Sequence, residues 1–241
     1  MVQGGFIMRL RSSNPVLRKT FETSTSIDGA VTYTNVAMRT IYLILVAGGV
    51  GVYTYINLGG YLNLVYLIAA FIIGFISVIV GTRSVTLSPV FSTIYAVAEG
   101  YILGLLSSFY SYLYEGIIPT AIATTVIVLL ITMIMYSTGM VKVTNRFASF
   151  LVIGLISVIA MSLIGLLIPS IFSGGFYYLI VGFSAILSVL FLFLDFENIK
   201  TCVESGTDRK YSWILALGLM VTLVWIYLEI LRLLAIFSRR R

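Results

Sequence analysis

The chain has 241 residues, of which 60% are apolar and 10% charged, and its formal net charge is +6. A mean hydropathy of +1.08 is far above what a water-soluble domain carries, so the solvent of this chain is lipid. With no histidine and a single cysteine, Cys202, the sequence excludes imidazole-ligated zinc, a Ser-His-Asp triad, an internal disulfide and a thiolate metal cluster.

Residues 1–38 are polar, rich in Ser and Thr, and have no sustained apolar period, which predicts a mobile arm. Within it Met8 heads Met8-Arg9-Leu10-Arg11 and serves as a start residue as well as Met1 does. Residues 39–241 then form a single domain of seven apolar blocks: Ile41–Ile56, Leu62–Gly81, Val90–Leu113, Ile117–Tyr136, Ala148–Ile168, Tyr177–Phe196 and Trp213–Ile236. Each is close to the ~20 residues that cross ~30 Å of hydrocarbon. Backbone amides in lipid must pair within their own segment, and none of the blocks alternates as a barrel strand does, so the predicted fold is all-α, a polytopic bundle of seven transmembrane helices. The connections are too short to hold a soluble domain, and the first block starts too late to be a cleaved secretory signal.

Lys and Arg set the orientation. The arm holds Arg9, Arg11, Arg18 and Lys19, with Arg39 at the edge of the first block; the second, fourth and sixth connections hold Arg83, then Lys142 and Arg146, then Lys200, Arg209 and Lys210. The first, third and fifth connections hold none, which predicts a cytoplasmic N-terminus. Seven full spans then put Arg239, Arg240 and Arg241 outside, against the rule; a last segment that turns back would keep them inside. The positive charge is thus topological, and no nucleic-acid partner is expected.

Charges inside the spans are few. Asp195, in Leu190-Phe191-Leu192-Phe193-Leu194-Asp195-Phe196, is the lone Asp of a span and the first functional suspect. One aspartate cannot form an aspartyl-protease pair, and no phosphate-binding loop follows a strand, so neither an enzyme nor a resident cofactor is expected. Glu99 lies mid-block beside Gly100 and Gly104, whose small-xxx-small spacing lets another helix approach. It reads equally as a structural acid bonded to its neighbours or as a functional one. Glu229 and Arg232, three apart, share a face of the last helix and read first as a self-neutralising pair. Arg83 either snorkels to lipid headgroups or acts on a buried acid. Glu197 is expected to be solvated, and Cys202 to be an inert loop thiol. At ~1.5 Å per residue, Glu99 lies ~16 Å and Asp195 ~13 Å from their inner ends, so the two could face each other, whereas Glu229, at ~27 Å, is too far up to meet Asp195.

The stretch Leu194-Asp195-Phe196-Glu197-Asn198-Ile199-Lys200, the closing phrase Tyr227-Leu228-Glu229-Ile230-Leu231-Arg232-Leu233-Leu234, and Glu99-Gly100 before Leu103-Gly104 resemble the Bax inhibitor-1 family of seven-helix membrane proteins, with its bacterial YccA-like members. The resemblance covers about residues 40–237. It implies a pH-sensitive calcium leak, in which an aspartate of the sixth helix pairs with one of the seventh and a basic residue of the second helix latches the sixth-helix acid. Asp195 matches the first aspartate, Arg83 falls at or next to the latch, and Arg232 matches the seventh-helix arginine. The second aspartate is missing: its place falls at Thr222. Glu99 is the candidate replacement, and Asp195 with Glu99 the candidate calcium ligands, since calcium prefers hard oxygen donors. Two buried carboxyls can share a proton near neutral pH without any histidine.

Two other readings stand beside the leak. The resemblance to YccA-like members also implies a regulatory protein that engages a membrane-bound quality-control protease, with residues 1–35 as the handle. A proton-coupled transporter is the third, for which Gly48, Gly49 and Gly51 would mark a break in the first helix. The expected location is the cytoplasmic membrane of a bacterium, and the expected partners are the bilayer, the calcium ion and, on the second reading, the protease.

Overall fold

The computed structural model describes residues 29–57, 64–168 and 175–238. The start residue, the basic residues up to Lys19 and the Arg239–Arg241 tail fall outside that range. Among the described residues seven helices, each long and apolar enough to cross a membrane, follow in chain order: α1 Tyr33–Asn57, α2 Leu64–Arg83, α3 Ser88–Leu113, α4 Ile117–Ser137, α5 Asn145–Leu167, α6 Gly175–Glu204 and α7 Ser212–Ser238. A short 3-10 turn, Arg209–Tyr211, leads into α7. The protein is a multi-pass membrane protein of the all-α class.

The helices extend beyond the apolar blocks where polar residues can cap them. Thr32 accepts from the Asn35 amide at 3.1 Å, so α1 starts at Tyr33 and takes in residues 33–38 of the polar arm. It runs unbroken through Gly48, Gly49 and Gly51, so the break anticipated for a transporter is absent. Helix α6 continues eight residues past Phe196 to Glu204, which puts Cys202 in a helix, half-buried, rather than in a loop. The chain then reverses at Gly206, whose φ of 66° lies in the left-handed region that a side chain disfavours.

Helix α7 is the axis of the bundle. It packs against α1, α2, α3, α4 and α6, and its Ala216, Leu217, Met220, Leu223, Val224 and Ile226 form the middle of the core. Helix α5, by contrast, packs chiefly on α6. Large apolar side chains such as Leu45, Val65, Phe75, Ile153 and Leu163 point outward, as a lipid-facing surface requires. Lipid supplies no hydrophobic drive between helices, so close packing must hold them, and the α1–α3 crossing shows how. A Cβ placed on Gly100 would lie 2.5 Å from the Ala47 carbonyl oxygen, and one on Gly104 would lie 2.5 Å from the Gly51 carbonyl oxygen. The two backbones touch there because glycine leaves nothing between them.

Seven traverses put Gly29 and Ser238 at opposite ends. Arg83, Arg146, Lys200 and Lys210 all lie at the Gly29 end, the basic end of the bundle. There residues 29–31 strap onto the α6–α7 connection. Ala30 and Asp208 form an antiparallel bridge, the Val31 amide donates to the Thr207 carbonyl at 2.8 Å, and the Arg209 amide donates to the Gly29 carbonyl at 3.0 Å. Val31 is fully buried in the core. Arg39 donates to the Arg209 carbonyl at 2.8 Å and stacks over the Trp213 ring at 5.0 Å, so it holds the same corner.

Candidate functional site

Nine residues before the end of α6, the run Leu190–Leu194 gives way to Asp195. This side chain faces α7. Its Oδ1 is the neighbour that a Cβ on Gly218 would meet at 3.9 Å, so the glycine leaves the carboxyl room against the α7 backbone. One turn along, Thr222 lies beside the Asp195 carboxyl and its hydroxyl donates to the Gly218 carbonyl oxygen at 3.3 Å. The other oxygen, Oδ2, is buried and has no hydrogen-bond partner among the described residues. A buried carboxyl oxygen is nearly always satisfied, and one left open in a membrane span is met either by a proton or by a cation. Thr222 is thus the residue opposite Asp195, at the position where the resemblance calls for a second aspartate.

Glu99 is elsewhere. Its carboxyl turns to α2, where it is the nearest neighbour of Gly74 at 3.6 Å from a built Cβ, and the Tyr95 phenol one turn earlier on α3 lies beside it. Asp195 and Glu99 are therefore not partners, and among the described residues no group of three or more His, Cys, Asp or Glu could hold a metal ion. Their depths match, but they point around the bundle in different directions. The joint calcium site anticipated for Asp195 and Glu99 is not assembled. Combining Asp195→Asn with Glu99→Gln is accordingly expected to change unfolding free energy by the sum of the single effects, within ~0.5 kcal/mol, as for independent sites. A double variant no worse than either single one would show that the acids are coupled.

Arg83 ends α2 with its side chain exposed and makes no ion pair among the described residues. The latch onto Asp195 is not formed in this conformation. Glu197, expected in solvent, is partly buried and accepts from the Tyr136 hydroxyl at 2.7 Å, tying α4 to α6.

Glu229 is the best-satisfied acid of the bundle. Buried on α7, it accepts from the Ser184 hydroxyl at 2.7 Å, the Trp225 indole at 3.2 Å and, at both oxygens, the Arg232 guanidinium at 3.2 Å. The pair with Arg232 is the one its spacing predicts. Its distance from Asp195 along the helices also follows the depth arithmetic. Ser184 and Trp225 were not legible as its partners, although both lie on the helix stripes that carry the acids: 184, 188, 191 and 195 on α6, and 218, 222, 225 and 229 on α7. Between the two acids the stripes meet at Phe191 and Trp225, whose ring centroids are 5.6 Å apart.

The family model described as Bax inhibitor 1 like matches residues 14–239. No curated protein matches the chain.

Proposed function

The chain belongs to the Bax inhibitor 1 like family, and on that premise we propose that it is a pH-sensitive cation leak, with calcium as the transported ion and the Asp195 carboxyl as its gate. The observation that carries this reading is the buried Oδ2 of Asp195, which has no hydrogen-bond partner among the described residues, while its Oδ1 faces Gly218 of α7. Protonated, the carboxyl is neutral and has no call on a cation. Deprotonated, it offers a hard anionic oxygen beside the Thr222 hydroxyl and the Gly218 carbonyl, the donor types that calcium takes. One carboxylate with two neutral oxygens is a weak site, which suits passage rather than storage. Water or backbone oxygens would complete the ion's shell.

In this reading the basic end faces the cytoplasm, following the Lys and Arg bias, and the membrane is the cytoplasmic membrane of a bacterium. Arg83 would close the pathway by swinging from its exposed position towards Asp195 and neutralising it.

The test is calcium flux into liposomes holding the full chain, across a pH series, for the wild type and Asp195→Asn. Wild-type flux is expected to rise as the carboxyl loses its proton, and Asp195→Asn to give a flat profile, because the amide has no proton to lose in that range. The same pH profile in both would reject Asp195 as the gate, and no flux in either would reject the leak.

A further inference from the structure

The two acids sit on facing stripes of one antiparallel helix pair, at different depths. From the basic end, Asp195 of α6 lies against Gly218 and Thr222 of α7; next, Phe191 lies against Trp225; beyond, Ser184 lies against Glu229. Ser188 occupies the remaining α6 position of the stripe and is also buried. On α6 the stripe runs 11 residues from Asp195 to Ser184, ~16 Å, about half the thickness of the hydrocarbon. Polar side chains are scarce in spans, and a continuous polar face there marks a pathway more often than a packing device. Only the ring pair interrupts it.

We propose that the α6–α7 seam is the conduction pathway and that the Phe191–Trp225 ring pair is its constriction, held shut by the bond from the Trp225 indole to Glu229. The ring pair works by size and dryness: two aromatic side chains in contact, their planes tilted at 55°, leave no oxygen to replace an ion's water, and the polar steps on either side cannot be bridged while they touch. The indole bond to Glu229 at 3.2 Å fixes the Trp225 rotamer, because the same carboxylate is pinned by Ser184 and Arg232. Displacing Glu229 frees the indole to swing. Asp195 then decides whether a cation enters the seam, and Trp225 whether it passes. The identity of the ion rests on the leak reading above; the seam does not.

The experiment separates the two. In a Cys202→Ser background, single variants Thr222→Cys, Ser188→Cys, Ser184→Cys and Ile186→Cys are reconstituted as the full chain in liposomes and treated from one side or the other with a membrane-impermeant cationic thiol reagent. Ile186 lies between the two serines in sequence but points outward, 63% exposed, and serves as the lipid-facing control. The expected result is labelling of Thr222→Cys, on the basic side of the ring pair, from the basic end only, of Ser188→Cys and Ser184→Cys, beyond it, from the far end only, and of Ile186→Cys from neither. Adding Trp225→Ala or Phe191→Ala is expected to make all three seam positions reactive from either side and to raise cation flux several-fold, while Trp225→Phe, which keeps a ring, retains most of the barrier. Seam positions that stay unreactive, or that label from both sides before any ring is removed, would overturn the proposal. The labelling pattern of the single variants decides even if a ring variant fails to fold. Partitioned labelling without calcium flux would sustain the seam and reject the calcium leak.

Discussion

Gly104→Leu is expected to yield no folded protein, and Gly104→Ala or Gly100→Ala to lower stability by about 1–3 kcal/mol or more, the usual range for overpacking a tight interface. The cause is the α1–α3 crossing. A Cβ on Gly104 would sit 2.5 Å from the Gly51 carbonyl oxygen and 2.7 Å from the Thr54 Cβ; one on Gly100 would sit 2.5 Å from the Ala47 carbonyl oxygen and 2.9 Å from the Val50 Cβ. These neighbours are backbone or the root of a side chain, so they give way only if the helices separate. Gly51→Ala is a milder case, since its Cβ would meet the Gly100 carbonyl oxygen at 3.3 Å. Gly48 and Gly49 have nothing within 4 Å, and alanine there is expected to be neutral or stabilising by up to about 1 kcal/mol, the helix propensity difference. Thermal unfolding of the five alanine variants in detergent checks the order. Equal losses at Gly49 and Gly104 would mean that backbone contact does not hold this crossing.

Glu229→Ala is expected to destabilise by about 3 kcal/mol, the low end of the range for breaking a buried charge pair, because Arg232 is 41% exposed and recovers part of its hydration. The loss is not confined to the ion pair. The Ser184 hydroxyl and the Trp225 indole also lose their acceptor. Glu229→Gln keeps an acceptor oxygen for both and loses only the charge, so its cost should fall to about 1–2 kcal/mol. Unfolding of both variants, followed by tryptophan fluorescence, measures the difference and reports the environment of Trp225. If the glutamine variant is as unstable as the alanine variant, the pair with Arg232 is the whole of the effect.

Much of this was legible in the sequence, for physical reasons. Lipid demands long apolar helices, so the seven spans follow from hydropathy. Depth is also a sequence quantity: the separation of Asp195 from Glu229 and the pairing of Glu229 with Arg232 come from rise and spacing alone. Azimuth is not. Glu99 and Asp195 lie at similar depths, yet Glu99 turns to Gly74 and Tyr95 of its own corner, and no count of residues along α3 reveals that. Thr222 shows the opposite case, since aligning the closing phrase brought the right position to Asp195 although the expected carboxylate was absent. One helix end was missed where capping outruns hydropathy, at Thr32 before α1. The strap at residues 29–31 had no signature at all, because a two-residue backbone pairing asks nothing of side chains.

That strap bears on how the molecule is made. Ala30 and Asp208 are 178 residues apart, from 208 minus 30, and they bridge the chain just before its first helix to the turn before its last. Helix α1 is among the first segments to reach the membrane, yet the groups that cover its base, the Thr207 carbonyl and the Arg209 amide, are synthesised only when six helices are in place. So distant a contact carries a loop-closure cost that local hairpins do not, and it forms late. Until then Val31 lacks the α6 and α7 side of its core. A chain truncated within α6 is therefore expected to insert its early helices and leave the base of α1 without the groups that cover it in the finished bundle.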